Sequence, residues 1–239
     1  MSRLVDVSGP LFNGMWSYNS LPTLGASVAE FSSETTTTVE QHGFESFRFV
    51  LGSLSGTYLE TGAHNIAGMP ALSDLDCSVF IRPAVICHVP PKQPRQLIRR
   101  AELEAHCPPV RGGDALLIEC GWGKRWWSPD FVVDGPSFHP DCLPWLLAQP
   151  MSLLGVDVPC IQAWWAAPGS SESEAGMLLE LFKKNILLLA PLVNLDTVRE
   201  QRAELIALPL NVTGASGAPC RAILWVKESY GGTYAVQDS

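Results

Sequence analysis

Tyrosine, glutamate and histidine lie within one short stretch, "SGTYLETGAH" (55–64), as Tyr58, Glu60 and His64. An imidazole titrates near neutral pH, so His64 can serve as general base or general acid. Glu60 precedes it by four residues and can orient the ring or carry a proton itself. Tyr58 can donate a hydrogen bond to an oxygen that gains charge in a transition state. Together they suit enolisation, aldol-type ring closure, dehydration or lactone opening. The competing reading is that His64 only packs or caps the end of a glycine-rich turn.

Tryptophans are the second chemical signal. Trp122, Trp126 and Trp127 follow the apolar run "LLIECGW", Trp164 and Trp165 follow "GVDVPCIQ", and Trp16 lies between Phe12 and Tyr18. Trp16, Trp122, Trp126 and Trp164, with the apolar Leu54, are the candidate substrate contacts, because indole faces suit a flat aromatic carbonyl compound. Neighbouring tryptophans cannot both face one side of a strand, so one of each pair is expected to pack in the core. An aromatic core or subunit interface is the alternative for each taken singly.

The isolated His42, His88, His106 and His139 are expected to be non-catalytic. Asp157 in "VDVP" is expected to cap backbone amides in a turn, and Arg221 to tie down the turn "GASGAPCR". Seven cysteines are scattered with no CxxC pair, which signals neither a zinc knuckle nor a redox dithiol. Cys77, Cys87, Cys120 and Cys160 read as buried free thiols.

The elements that position these groups come from a chain of 239 residues, 46% hydrophobic and 17% charged, long enough to bury a substantial core as one domain spanning residues 1–239. Nineteen prolines and twenty glycines imply many turns and short elements. A formal charge of −8 without a basic patch argues against nucleic acid or an anionic membrane as partner. No apolar leader or membrane-length run is evident, so a cytoplasmic location is expected, and the Asn211 sequon is expected to be idle.

Strands are expected at "RLVDVSG", within 25–40, at "FIRPAVICHV", "DALLIECGW", "MSLLGVDVP", "ILLLAPLVNL", "AELIALPLNV" and "PCRAILWVKE". A half-buried strand through Phe47, Phe49 and Leu51 should feed the Gly-Thr-Tyr loop. About three helices are expected, over "PRQLIRRAELEAHC", "HPDCLPWLLAQP" and "SESEAGMLLELFKKN", the last capped by its serines and acids. This is a strand-rich, mixed α/β (α+β) pattern.

The ordered series "VDVSGPLFNGM", "GTYLETGAH", "GDALLIECGWGKRW", "LLGVDVP", "ILLLAPLVNLD" and "LIALPLNVTGASGAPCRAI" resembles the cyclase family that includes kynurenine formamidase, isatin hydrolase and certain aromatic polyketide ring cyclases. The likeness runs from about residue 4 to 226. It implies a swivelling β/β/α fold and a homodimer or homotetramer. Hydrolases of that family carry a loop H-x-G-T-H-x-D-x-P-x-H, whose first two histidines and aspartate bind zinc or manganese and whose last histidine is the acid/base. Carried over, the ligand positions fall on Leu54, Tyr58 and Glu60, the proline on Gly62 and the acid/base on His64. A distal glutamate falls on Ala190 and a distal histidine near Leu178, with Glu172, Glu174 and Glu180 close by in sequence.

Leu54 offers no donor atom, and a phenol must lose a proton with a reference pKa near ~10 before it can ligate. No metal ligands and no cofactor are therefore expected, and zinc or manganese would need substitute ligands. The expected function is metal-independent acid/base chemistry, meaning cyclisation, dehydration or ring opening, on a hydrophobic aromatic or polyketide-like substrate. The alternatives are a metal-dependent amide, formamide or lactone hydrolase, and a catalytically silent binding protein.

Overall fold

Runs of valine, isoleucine and leucine between glycine and proline turns form the centre of the molecule, as β-branched and apolar residues on a pleated, buried surface should. The computed structural model describes residues 2–21, 28–166 and 176–227. Its main sheet has eight strands: β1 (Ser2–Asp6), β4 (Tyr58–Glu60), β5 (Ile81–His88), β7 (Ala115–Glu119), β9 (Leu153–Val156), β10 (Leu187–Ala190), β11 (Arg202–Pro209) and β12 (Gly217–Lys227). Their order is β1-β12-β11-β5-β7-β9-β10-β4, and a further pairing of β12 with β4 closes the sheet like a barrel. Strands β5, β7, β9 and β10 run parallel. Strand β4 lies antiparallel to both β10 and β12. Two small ladders flank the sheet, β2 (Ser32–Thr37) with β3 (Ser46–Val50), and β6 (Leu97–Ile98) with β8 (Ser137–Phe138).

Strands β7, β9 and β10 are buried on both faces, which explains why they read as continuous apolar runs, whereas β1, β11 and β12 carry exposed residues such as Leu4, Leu208 and Trp225. Inside the closed sheet lie Leu59, Ile86, Leu117, Leu153, Leu189 and Leu224. The alternate residues Tyr58, Val85, Leu116, Leu154 and Leu188 face outward onto Leu103, Leu146, Leu181 and Phe182. Those last four belong to the helices α2 (Arg100–His106), α3 (Cys142–Ala148) and α4 (Met177–Lys183). The period of two on β4 therefore sends Tyr58 and Glu60 to the helix-covered face and Leu59 to the interior. The architecture is the strand-rich α+β fold expected.

Several elements differ from expectation. A short α1 (Val39–His42) follows β2, so the described residues hold four α-helices. Strand β3 is not half-buried: Phe47 and Phe49 are 47% and 59% exposed, because β3 pairs only with β2 in a ladder separate from the main sheet. The helix expected over "PRQLIRRAELEAHC" starts only at Arg100, since Leu97 and Ile98 are drawn into pairing with Ser137 and Phe138. Cys77 is exposed and Cys160 half-buried, while Cys87 and Cys120 are buried thiols as read. The serines and acids expected to cap the last helix, Glu172 and Glu174 among them, lie outside the described residues.

Candidate active site

Gly56 turns the chain into β4 with φ +66°, a left-handed conformation that costs glycine little. Tyr58 pairs with Ala190 and Pro219, and Glu60 with Leu188 and Gly217. Beyond β4, the Thr61 hydroxyl accepts from the Ala63 amide at 3.2 Å and donates to the Pro70 carbonyl at 2.8 Å. That cap winds Gly62–His64 into one tight 3₁₀ turn. A Cβ at Gly62 would stand 2.5 Å from Met69 Sδ and 3.3 Å from Phe182 Cβ, which accounts for glycine where the resemblance places proline.

The turn brings His64 back over Glu60. Nδ1 of His64 stands 2.8 Å from Oε1 of Glu60, with the glutamate side chain 2% and the histidine 37% exposed. The approach is short but off-axis, so Oε1 remains without an aligned hydrogen-bond donor. Glu60 nevertheless holds the His64 imidazole above its ordinary pKa, against partial burial that pulls it down.

Tyr58 is buried beside them. Its hydroxyl lies 3.3 Å from that of Tyr18, which donates to the Pro159 carbonyl at 2.8 Å. With the Tyr18 proton committed to Pro159, the Tyr58 hydroxyl is the donor to the Tyr18 oxygen. Burial, followed by the negative charge of Glu60, raises the Tyr58 phenol well above its usual range, so it stays a neutral donor. Leu54 lies alongside: its Cδ2 and Glu60 Cγ would each be 3.6 Å from a Cβ placed on Gly217.

The tryptophans divide by surroundings. Trp16 is buried, stacked on Phe131 at 4.8 Å and edge-on to Trp126 at 4.9 Å, and its Nε1 has no partner. Trp164 lies under the Arg95 guanidinium at 5.5 Å, also with an unpartnered Nε1. Trp126 donates to the Pro10 carbonyl at 2.9 Å and lines an open cavity. Trp122 is enclosed in the core and donates to the Phe131 carbonyl at 3.0 Å, so it is placed as packing rather than as a ligand contact. A crevice framed by Trp16, Tyr18 and Leu54 holds only about 10 Å³.

Other expected roles resolve as follows. Asp157 caps a turn: it accepts from the Cys120 amide at 3.1 Å and the Trp122 amide at 2.9 Å. Burial and the nearby Glu119 push its carboxyl up to about 6. Arg221 does not tie down the 214–217 turn but pairs with Asp6 on the neighbouring strand. His88, expected to be non-catalytic, has Nδ1 3.0 Å from Glu119 Oε2 and Nε2 3.0 Å from the Val198 carbonyl. With both nitrogens engaged, it has no lone pair to offer. His64 differs in that its Nε2 carries no hydrogen bond among the described residues.

Among the described residues the donor set does not suit the metal that the family resemblance implies. Ala190 occupies the distal glutamate position, Leu178 lies on α4, and Glu180 is turned to Lys183 at 2.6 Å. Among the described residues no group of three His, Cys, Asp or Glu side chains is placed to hold an ion. Among the described residues Glu60 has only His64 beside it, where three protein ligands are usual.

The model of the family described as "Putative cyclase" matches residues 5–163. The chain belongs to the cyclase family. A kynurenine formamidase from Bacillus thuringiensis (strain Al Hakam) is 29% identical over 225 residues, covering 93% of this chain and 97% of the relative. Isatin hydrolase A from Ralstonia solanacearum shares the cyclase-family fold with a TM-score of 0.80 at 21% identity, over 95% of this chain and 92% of that one. A structure described as a potential metal-dependent hydrolase with cyclase activity aligns with a TM-score of 0.70 at 19% identity, over 95% and 100%. The cyclase family is thus represented by enzymes along essentially the whole chain. No helix among the described residues is long and apolar enough to cross a membrane.

Proposed function

We propose that this cyclase-family chain is an enzyme in which the Glu60–His64 pair moves protons on a flat, hydrophobic carbonyl substrate without a resident metal. The observation that carries the reading is the pair itself: a buried carboxylate 2.8 Å from Nδ1 of a part-exposed histidine. With its proton on Nδ1, beside the carboxylate, His64 presents the Nε2 lone pair, which takes a proton from water or from a carbon next to a carbonyl. The imidazolium that forms is stabilised by Glu60 and returns the proton to the departing or newly formed oxygen. Tyr58, held only by a long 3.3 Å contact, supplies a neutral phenol to the charge growing on that oxygen.

Trp16 Nε1 and Trp164 Nε1 support a polar aromatic ligand, since a buried N–H without a partner costs about 1–3 kcal/mol. Admission of an aromatic ring requires Leu54 or residues 28–31 to move aside, because the crevice beside Trp16 is nearly filled. Ring formation, dehydration and ring opening all need this proton shuttle, as does hydrolysis of an activated lactam or lactone.

A second reading is a metal-dependent amide, formamide or lactone hydrolase, favoured by the kynurenine formamidase likeness over nearly the full length. Elemental analysis of the purified protein, paired with turnover of isatin and N-formylkynurenine, separates the two. Metal-free protein that converts a probe, and loses this in His64→Ala, supports the first. Stoichiometric zinc or manganese with chelator-sensitive turnover supports the second. Ligand binding with no turnover that depends on His64 would make the chain a silent binding protein instead.

A further inference from the structure

Loop 54–58 has two sides. Leu54 faces the crevice described above, Ser55 borders both that crevice and an open cavity of about 630 Å³, and Thr57 lines the cavity. That volume falls within the roughly 300–1,000 Å³ typical of small-molecule sites.

The walls of this cavity are aromatic on one side and charged on the other. Trp126 is only 2% exposed and its N–H is taken by Pro10, so just an edge of its ring borders the cavity. Trp127 is 66% exposed and held in place by Phe12, with ring centroids 4.6 Å apart. Gly9 lets Trp126 lie against the backbone, since a Cβ there would stand 2.1 Å from the indole. Opposite, Arg221 and Lys124 line the cavity with a single acidic side chain, Asp6.

Asp6 is already committed. Its Oδ1 accepts from the Ser8 amide and hydroxyl at 3.1 and 2.6 Å, and its Oδ2 pairs with Arg221. Asp6 therefore orients the guanidinium and leaves most of its five N–H donors unspent. Lys124 pairs with Asp196 at 3.1 Å, with its own side chain 65% exposed. Exposed pairs of this kind hold weakly, so an incoming anion can engage both cations.

We infer that this cavity is a second ligand site, and that it takes a small aromatic carboxylate whose ring lies on Trp127 and whose anion pairs with Arg221. The unspent donors of Arg221, beside a Lys124 held only by an exposed pair with Asp196, select an anion, and the exposed Trp127 indole selects a planar ring. The site shares its loop with the Glu60–His64 centre but uses none of that centre's proton-moving side chains.

Titration of the full-length protein with benzoate, benzamide and acetate, followed by tryptophan fluorescence and calorimetry, tests this. Benzoate is expected to bind saturably and about tenfold tighter than either control, a charge-assisted contact being worth over 1 kcal/mol. Arg221→Gln should reduce benzoate to the benzamide level, and Trp127→Ala should weaken both aromatic probes. Both side chains are largely exposed, so both variants should keep the wild-type circular dichroism. His64→Ala should bind benzoate as the wild type does, whatever its turnover, which keeps this test separate from that of the proposed function. Absence of saturable benzoate binding would overturn the inference. So would equal binding of acetate, indifference to both cavity variants, or loss in His64→Ala.

Discussion

Removal of the Asp157 carboxylate should unlatch the loop that carries Trp122 and Trp126. The carboxylate satisfies two buried amides well, those of Cys120 and Trp122 at 3.1 and 2.9 Å, and reaches a third on Gly123 at 3.4 Å. A buried donor left unsatisfied costs about 1–3 kcal/mol. Two of them put Asp157→Ala at about 2–6 kcal/mol, a large share of the ~5–15 kcal/mol that holds a typical domain together. Asp157→Asn keeps one acceptor oxygen and should cost less.

The charge adds a pH dependence of definite sign. Burial raises this carboxyl from 3.8 to about 6, so the folded state binds the extra proton between those values. Its contribution is complete below pH 3.8 and is lost as pH rises through about 6. The difference of about 2 pKa steps corresponds to ~3 kcal/mol. Urea unfolding from pH 4 to 7.5 is the assay. Asp157→Asn should gain on the wild type by about this ~3 kcal/mol across the range, since only the wild type acquires the buried charge. A wild-type minus Asn difference that stays flat with pH, or an Ala variant within about 0.5 kcal/mol of wild type, would refute the reasoning.

Three further outcomes follow from the same geometry. The acidic limb of kcat/KM should lie above an ordinary histidine pKa, because Glu60 raises His64, and Glu60→Gln should move that limb to lower pH; a limb that does not move removes Glu60 from the pair. Tyr58→Phe should change stability by only ~0.5–1.5 kcal/mol, since Tyr18 keeps its bond to Pro159, yet lower turnover by about 10²–10³ if the phenol meets an oxyanion. Unchanged turnover there would leave Tyr58 a packing residue. Gly9→Ala should lower Tm and perturb indole fluorescence, because the added methyl collides with Trp126 and overpacking costs ~1–3 kcal/mol; a wild-type melt would contradict the close approach.

The central strands β7, β9 and β10 are legible because burial on both faces leaves apolar runs that few other elements would use. Strand β3 misleads: Phe47 and Phe49 alternate like a half-buried strand, but no second layer among the described residues covers them. Leu97 and Ile98 fit a helical period as well as a strand, and only the partner segment at 137–138, some 40 residues away, decides between them. At the site, the spacing of Glu60 and His64 in sequence suits a direct contact, which the 3₁₀ turn delivers. What spacing could not disclose is the Tyr18–Tyr58 contact, which joins residues 40 positions apart. Nor could it show that His88 has both nitrogens occupied, or that Trp122 is enclosed while Trp126 borders open space. Those distinctions depend on long-range packing and have no local signature beyond the clustering of aromatics.

The most direct measurement is the pH profile of kcat/KM, with isatin as probe, for chelator-treated wild type, Glu60→Gln and His64→Ala. The account predicts that the treated wild type stays active, that Glu60→Gln shifts the acidic limb downward, and that His64→Ala loses turnover. Activity that vanishes on chelation and returns with added zinc or manganese, or that survives in His64→Ala, would contradict it.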